Sequence, residues 1–145
     1  MMNRSTRYGA FAAAIMAVAV ICLSAAPNVR AESEILKANI PFDFYVGTQK
    51  LPAGEYTVTR LADPAVLRIY DGNGHASVSM STGVYNRAGT PKGLLIFNRY
   101  AEQTFLSEVR WREGSVDRQL MQSPLEARIA KNHTAERVIA TTNNK

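Results

Sequence analysis

The sequence predicts a mostly β domain: a compact antiparallel β-sandwich or open barrel of about six to eight strands with one short C-terminal helix, preceded by a signal-peptide helix. Three observations predict it. Apolar residues alternate at period two in several short stretches, Gly- and Pro-bearing turns separate those stretches at intervals of roughly ten residues, and the pattern changes to helical only at Ser123-Pro124-Leu125-Glu126. The chain has 145 residues and one cysteine, with 17 Lys and Arg against 12 Asp and Glu. That is room for one domain with a core of ordinary size.

The N-terminus stands apart. Arg4 and Arg7 precede an almost unbroken run of apolar and small residues from Ala10 to Ala26, and Val29-Arg30-Ala31 offers tolerable residues before a cut. This is the tripartite layout of a secretory signal peptide, expected to be cleaved after Ala31. The alternative is a retained membrane anchor, for which the alanine-rich run is short and weakly apolar. Cys22 lies inside this run, and the bulky Ile21 before it argues against lipidation. The expected organisation is therefore a signal peptide over 1–31 and a single exported β-rich domain over 32–145. Without residues 1–31 the charge is nearly balanced, at 14 Lys and Arg against 12 Asp and Glu, and no cysteine remains. A cysteine-free exported domain must hold together through its core alone.

Ala38, Ile40, Phe42, Phe44 and Val46 alternate with Lys37, Asn39 and Asp43, predicting a half-buried first strand, at a sheet edge or broken at Pro41. Leu51-Pro52-Ala53-Gly54 predicts a turn and Tyr56–Leu61 a second strand. After Asp63-Pro64, Val66–Tyr70 predicts a third, closed by the Asp71-Gly72-Asn73-Gly74 hairpin connection. Ala76, Val78 and Met80 alternate with Ser77, Ser79 and Ser81, predicting a fourth strand with a serine-lined solvent side. Asn86–Gly93 is a polar loop. Leu94-Leu95-Ile96-Phe97 is apolar on both parities, as a central strand covered on both faces should be, and Phe105–Trp111 pairs with it across Ala101–Thr104. Ser123 as N-cap, Pro124 at the first helical position and Glu126 at the third form a capping box for a helix to about Lys131, with Leu125 and Ile129 on one face. Arg137–Thr142 returns as a last strand.

Reactive side chains are sparse. The exported part holds two histidines, His75 and His133, and no thiol, which excludes cysteine nucleophiles and thiolate metal sites. Neither histidine has a partner at His-x-x-x-His spacing. Asp71-Gly72-Asn73-Gly74 opens like a calcium loop, but Thr82 stands at the twelfth position where Glu is required. No phosphate-binding glycine loop or Gly-x-Ser-x-Gly elbow is present. No catalytic residue, cofactor or metal is therefore expected. Asp43, Glu55, Glu102, Glu108, Glu113 and Asp117 would act as an acid/base pair only if two of them converged. The candidate partner contacts are Arg99, Tyr100, Arg110, Trp111 and Arg112, because an aromatic ring beside Arg can stack on a sugar or anchor a protein. Trp111, sharing parity with Phe105 and Val109, also suits the core. The small net charge and the lack of a basic run disfavour nucleic acid and membrane surfaces.

Three blocks carry a resemblance: Asn39-Ile40-Pro41-Phe42-Asp43-Phe44-Tyr45-Val46-Gly47 with Leu51-Pro52-Ala53-Gly54-Glu55-Tyr56-Thr57-Val58; Phe97-Asn98-Arg99-Tyr100 with Phe105-Leu106-Ser107-Glu108-Val109; and Arg118-Gln119-Leu120 with Ser123 and Glu126. Together they resemble a family of short uncharacterised exported proteins from soil bacteria. The resemblance implies a bacterial exported protein and brings no activity, ligand or catalytic residue. Ala101 departs from it, standing where that group suggests Gly. The expected function is a non-catalytic exported β-domain that binds an envelope or extracellular protein or glycan. The alternatives are a small hydrolase using His75 or a carboxylate pair, and a membrane-anchored envelope assembly protein.

Overall fold

The computed structural model describes residues 35–85, 91–112 and 116–143. The expected signal peptide, the loop residues 86–90 and Glu113 lie outside them. The chain divides into two compact units, Met1–Glu32 and Ser33–Lys145, and every described element belongs to the second.

Among the described residues ten strands and one helix are formed: β1 (Ile35–Ile40), β2 (Phe44–Val46), β3 (Gln49–Leu51), β4 (Gly54–Arg60), β5 (Val66–Tyr70), β6 (Ala76–Val84), β7 (Leu94–Tyr100), β8 (Gln103–Arg110), β9 (Asp117–Leu120), α1 (Pro124–Ala130) and β10 (Glu136–Thr141). The mostly β fold with a short C-terminal helix is as the sequence predicts. The strands exceed the expected number because Pro41-Phe42-Asp43 divides the first into β1 and β2, and because the three-residue β3 and four-residue β9 carry too little pattern to be legible.

Pairing runs β1-β4-β5-β6-β9-β8, antiparallel throughout. β7 lies along β8 and pairs with β10 beyond it. The other edge of β8 is shared by β9 and, in parallel, by β2 at Tyr45↔Phe105. The long β6 belongs to both halves, pairing with β5 over Ala76–Met80 and with β9 over Ser81–Val84. The result is an open barrel. At the open seam Asn143 N–H donates to the Lys37 carbonyl at 2.9 Å and Thr142 N–H to the Gly93 carbonyl at 3.0 Å.

The core is filled from both halves: Leu36, Ala38 and Ile40 of β1, Phe44 and Val46 of β2, Tyr56 and Val58 of β4, Leu67 and Ile69 of β5, Leu95 and Phe97 of β7, and Leu106 and Val109 of β8. Phe44 is its hub, meeting Tyr56 edge-on at 5.1 Å and Phe97 at 5.5 Å; Phe42 meets Phe97 at 5.2 Å. Such contacts contribute about 0.5–1.5 kcal/mol each beyond area burial. The Tyr56 hydroxyl donates to the Pro52 carbonyl at 2.8 Å, tying the Leu-Pro-Ala-Gly turn to the core.

Two expectations are corrected. In β6 the serines face inward: Ser77 and Ser81 are buried, while Val78 and Met80 are 59% and 52% exposed. The neighbouring strand decides this. Leu67 and Ile69 of β5 are fully buried and stand opposite Ser79 and Ser77, and directly opposed residues share a face. The buried hydroxyl of Ser81 is satisfied, donating to the Ala65 carbonyl at 2.8 Å and accepting from Arg118 Nε at 3.2 Å. In β8, Phe105 does not share a face with Val109. The register jumps from Ile96↔Glu108 to Phe97↔Leu106, so Ser107 is the extra residue of a bulge and parity changes across it. Leu106 and Val109 then point into the core, and Phe105 turns to the other face, stacked on Tyr45 at 4.9 Å.

Ser123 caps α1 as predicted, accepting from Glu126 N–H at 3.1 Å. The Glu126 carboxylate does not complete the box. It is buried and accepts from Asn98 Nδ2 and the Tyr100 hydroxyl, each at 3.2 Å, docking α1 against β7.

Gly93 sits at the seam, where an added Cβ would lie 2.5 Å from Leu36 Cδ2 and 2.8 Å from Thr142 Oγ1. Gly93→Ala is expected to destabilise the domain by about 1–3 kcal/mol through overpacking, measured by urea unfolding.

Candidate functional site

A cleft of about 580 Å³ opens beside the β7–β8 turn, lined by Phe42, Asp43, Tyr45, Lys50, Arg99, Ala101, Glu102, Gln103 and Thr104. Two stretches of chain build it. One is the break after β1 with the β2–β3 ribbon; the other is the turn joining β7 to β8. They meet because β2 pairs in parallel with the start of β8 at Tyr45↔Phe105.

Arg99 is placed by two groups, Thr104 and Phe42. It stands opposite Thr104 across the hairpin, its Nε donates to Thr104 Oγ1 at 3.3 Å, and its guanidinium carbon lies 5.1 Å from the centre of the Phe42 ring. Thr104 is buried and Phe42 is packed on Phe97, so both supports are anchored in the fold. Neither contact uses the terminal N–H groups of the guanidinium. Opposite in charge is Asp43, which accepts from Ala53 N–H at 3.0 Å and lies 3.2 Å from Lys50 Nζ. The Ala53 amide first, then Lys50, hold its carboxyl below the usual aspartate range. Gln103 contributes a buried Oε1 that finds no hydrogen-bond partner among the described residues.

The turn itself is strained. Ala101 has φ +51°, the one non-glycine residue with positive φ among those described. It is the first of two residues linking Tyr100 to Gln103, where a hairpin favours Gly. The left-handed conformation costs an alanine about 1–2 kcal/mol. A glycine, which the resemblance leads one to expect at this position, adopts such a conformation without that cost. Strained backbone of this kind concentrates at ligand-binding and catalytic positions, which makes the cleft the candidate site.

The five residues singled out from sequence do not form one surface. Arg99 lines the cleft, whereas Arg110, Trp111 and Arg112 lie at or beyond the far end of the β7–β8 hairpin, about 20 Å away at the rise of extended chain. Two of the five are corrected. Trp111 is 3% exposed and belongs to the core, with the Arg60 guanidinium 4.1 Å from its ring centre and its backbone N–H donating to Asp117 Oδ1 at 3.2 Å. Tyr100 is 5% exposed under α1, and burial first, then the Glu126 charge, raises its phenol above the usual range. Neither can meet a partner. Arg110 is engaged at 2.7 Å by the buried Glu108, which also binds Arg137 at 2.7 Å. Burial raises the nearby Asp117 above the ordinary aspartate range. Arg112 is exposed. Lys50, Phe42, Tyr45, Gln103 and Thr104 were not singled out from sequence.

His75 lies in the β5–β6 turn with its Nδ1 2.7 Å from Asp71 Oδ2. Asp71 also accepts the backbone N–H groups of Asn73 and His75, and although burial raises its pKa most, these bonds together lower it. The pair shapes a turn and does not line the cleft. Among the described residues no group of three His, Cys, Asp or Glu is placed to hold a metal ion, and no helix is long and apolar enough to cross a membrane.

No protein-family model, curated protein or solved structure matches the chain. Function must be read from the cleft itself.

Replacing Ala101 by Gly relieves the left-handed strain, so Ala101→Gly should raise stability by about 0.5–1.5 kcal/mol, visible as a higher Tm in a thermal melt. A neutral or lower Tm would show that the turn is not strained.

Proposed function

We propose that this chain is an exported, non-catalytic β-domain, of the group of soil-bacterial exported proteins it resembles, that binds an envelope or extracellular ligand in the Arg99 cleft. The observation that carries this reading is a strained, non-glycine turn at the mouth of a cleft whose central guanidinium is held from two sides by Phe42 and Thr104. Preorganised groups of this kind lose little freedom when a ligand arrives.

Export is supported by Arg4 and Arg7 before the apolar run and by the site after Ala31. The non-catalytic reading is supported by the engagement of the acidic groups: the Asp43 carboxylate is held by the Ala53 amide and Lys50, and Glu108 by Arg110 and Arg137. His75, tied to Asp71 in a turn, has no place in the cleft lining.

The test uses isotope-labelled protein purified from the exported fraction. N-terminal mass spectrometry should find Glu32 as the first residue; an intact Met1 would favour the anchored reading. Titration with solubilised cell-envelope material should shift the amides of residues 42–45 and 99–104. Arg99→Gln should weaken that binding at least tenfold, while Arg112→Ala leaves it unchanged. Shifts confined to another face would overturn the assignment of the cleft.

A further inference from the structure

We infer that the ligand of this cleft is a neutral, hydroxyl-rich molecule, a short stretch of uncharged glycan. The inference rests on the cleft being the binding site and adds the chemistry of what enters it.

Charge is the first consideration. Among the described residues the cleft is lined by two basic side chains, Lys50 and Arg99, and two acidic ones, Asp43 and Glu102, so their formal charges balance. Lys50 and Asp43 are already paired with each other at 3.2 Å. An acidic ligand reaching Arg99 would also meet the Glu102 carboxylate, and a basic ligand reaching Glu102 would meet the guanidinium.

Hydrogen-bonding capacity is the second. The terminal N–H groups of Arg99 only donate and the carboxylate of Glu102, exposed at the turn, only accepts. Donor and acceptor thus stand within one turn of chain. A group that serves both must donate and accept in the same place, which is what a hydroxyl does. The left-handed Ala101 determines where Glu102 and Gln103 emerge from the turn, and so sets their spacing from Arg99.

Apolar surface is the third. Tyr45, half-buried and stacked on Phe105, offers ring surface of the sort that packs on the C–H face of a sugar ring, and among the described residues the other apolar lining is Ala101 and Phe42, the latter already packed between Phe97 and Arg99. A peptide bound by strand addition needs apolar pockets for alternate side chains, and this lining has none. The volume, about 580 Å³, lies in the range of small-molecule sites and suits a few sugar rings.

The experiment titrates labelled, exported protein with neutral di- to tetrasaccharides of glucose, galactose, mannose and N-acetylglucosamine. Uronic-acid oligomers of equal length and neutral and acidic tripeptides run in parallel. At least one neutral saccharide should shift the amides of residues 42–45 and 99–104, with affinity constant within about twofold between low and high salt. Glu102→Ala should weaken that saccharide at least threefold with the Tm nearly unchanged, because it removes an exposed acceptor of the cleft. Tighter, salt-sensitive binding of uronic acids, binding of tripeptides alone, or no saccharide response at the cleft would each overturn the inference. Shifts at the cleft on adding envelope material would in those cases still uphold the binding-site reading. Loss of both responses would overturn the two together.

Discussion

Phe44 holds this domain together by touching both halves of the open barrel at once. It lies on β2, yet its ring meets Tyr56 from the β1-β4-β5 side and Phe97 from the β7–β8 side. With no disulfide available outside the N-terminal segment, cohesion between the halves comes from such packing and from β6, which pairs into both. The contact chain continues outward. Phe97 carries Phe42, and Phe42 carries the guanidinium of Arg99. The cleft is therefore an extension of the core, and what stiffens the core also stiffens the site.

This dependence explains Pro41. A continuous first strand would keep Phe42 in register with Ile40 and Phe44 inside the sheet. Breaking the strand at Pro41 releases Phe42 to lie partly buried at the barrel end, against Phe97 on one side and Arg99 on the other. Asp43 is freed at the same break and accepts from Ala53 in the Leu-Pro-Ala-Gly turn. Three conspicuous features of the sequence, the Pro41 break, the Leu-Pro-Ala-Gly turn and the Asn98-Arg99-Tyr100 segment, thus converge on one end of the fold.

Much of the fold was legible where local pattern and tertiary packing agree: β1, β4, β5, β7, the Ser123 cap and β10. It was illegible where a neighbour decides. In β6 both parities are amphipathic in a weak sense, and only the alignment with Leu67 and Ile69 places the serines inside. The Ser107 bulge reverses parity within β8, so Phe105 and Val109 separate although their spacing is even. The candidate site was legible in fragments only. Arg99 was visible beside an aromatic residue, and Ala101 as an unexpected residue at a turn. Asp43, Tyr45 and Lys50 come from 49 to 56 residues before Arg99 in the chain, and only the parallel pairing of β2 with β8 brings them across. The aromatic residues with the strongest sequence signal for recognition, Tyr100 and Trp111, were claimed by packing, one under α1 and the other in the core.

Phe42 couples the core to the Arg99 guanidinium. A double-mutant cycle on stability, using Phe42→Leu, Arg99→Gln and the pair in urea unfolding, measures that coupling directly. The account predicts a favourable coupling energy of about 0.5–1 kcal/mol, the size of a cation–π contact near a surface. Additivity of the two substitutions within about 0.3 kcal/mol would contradict it.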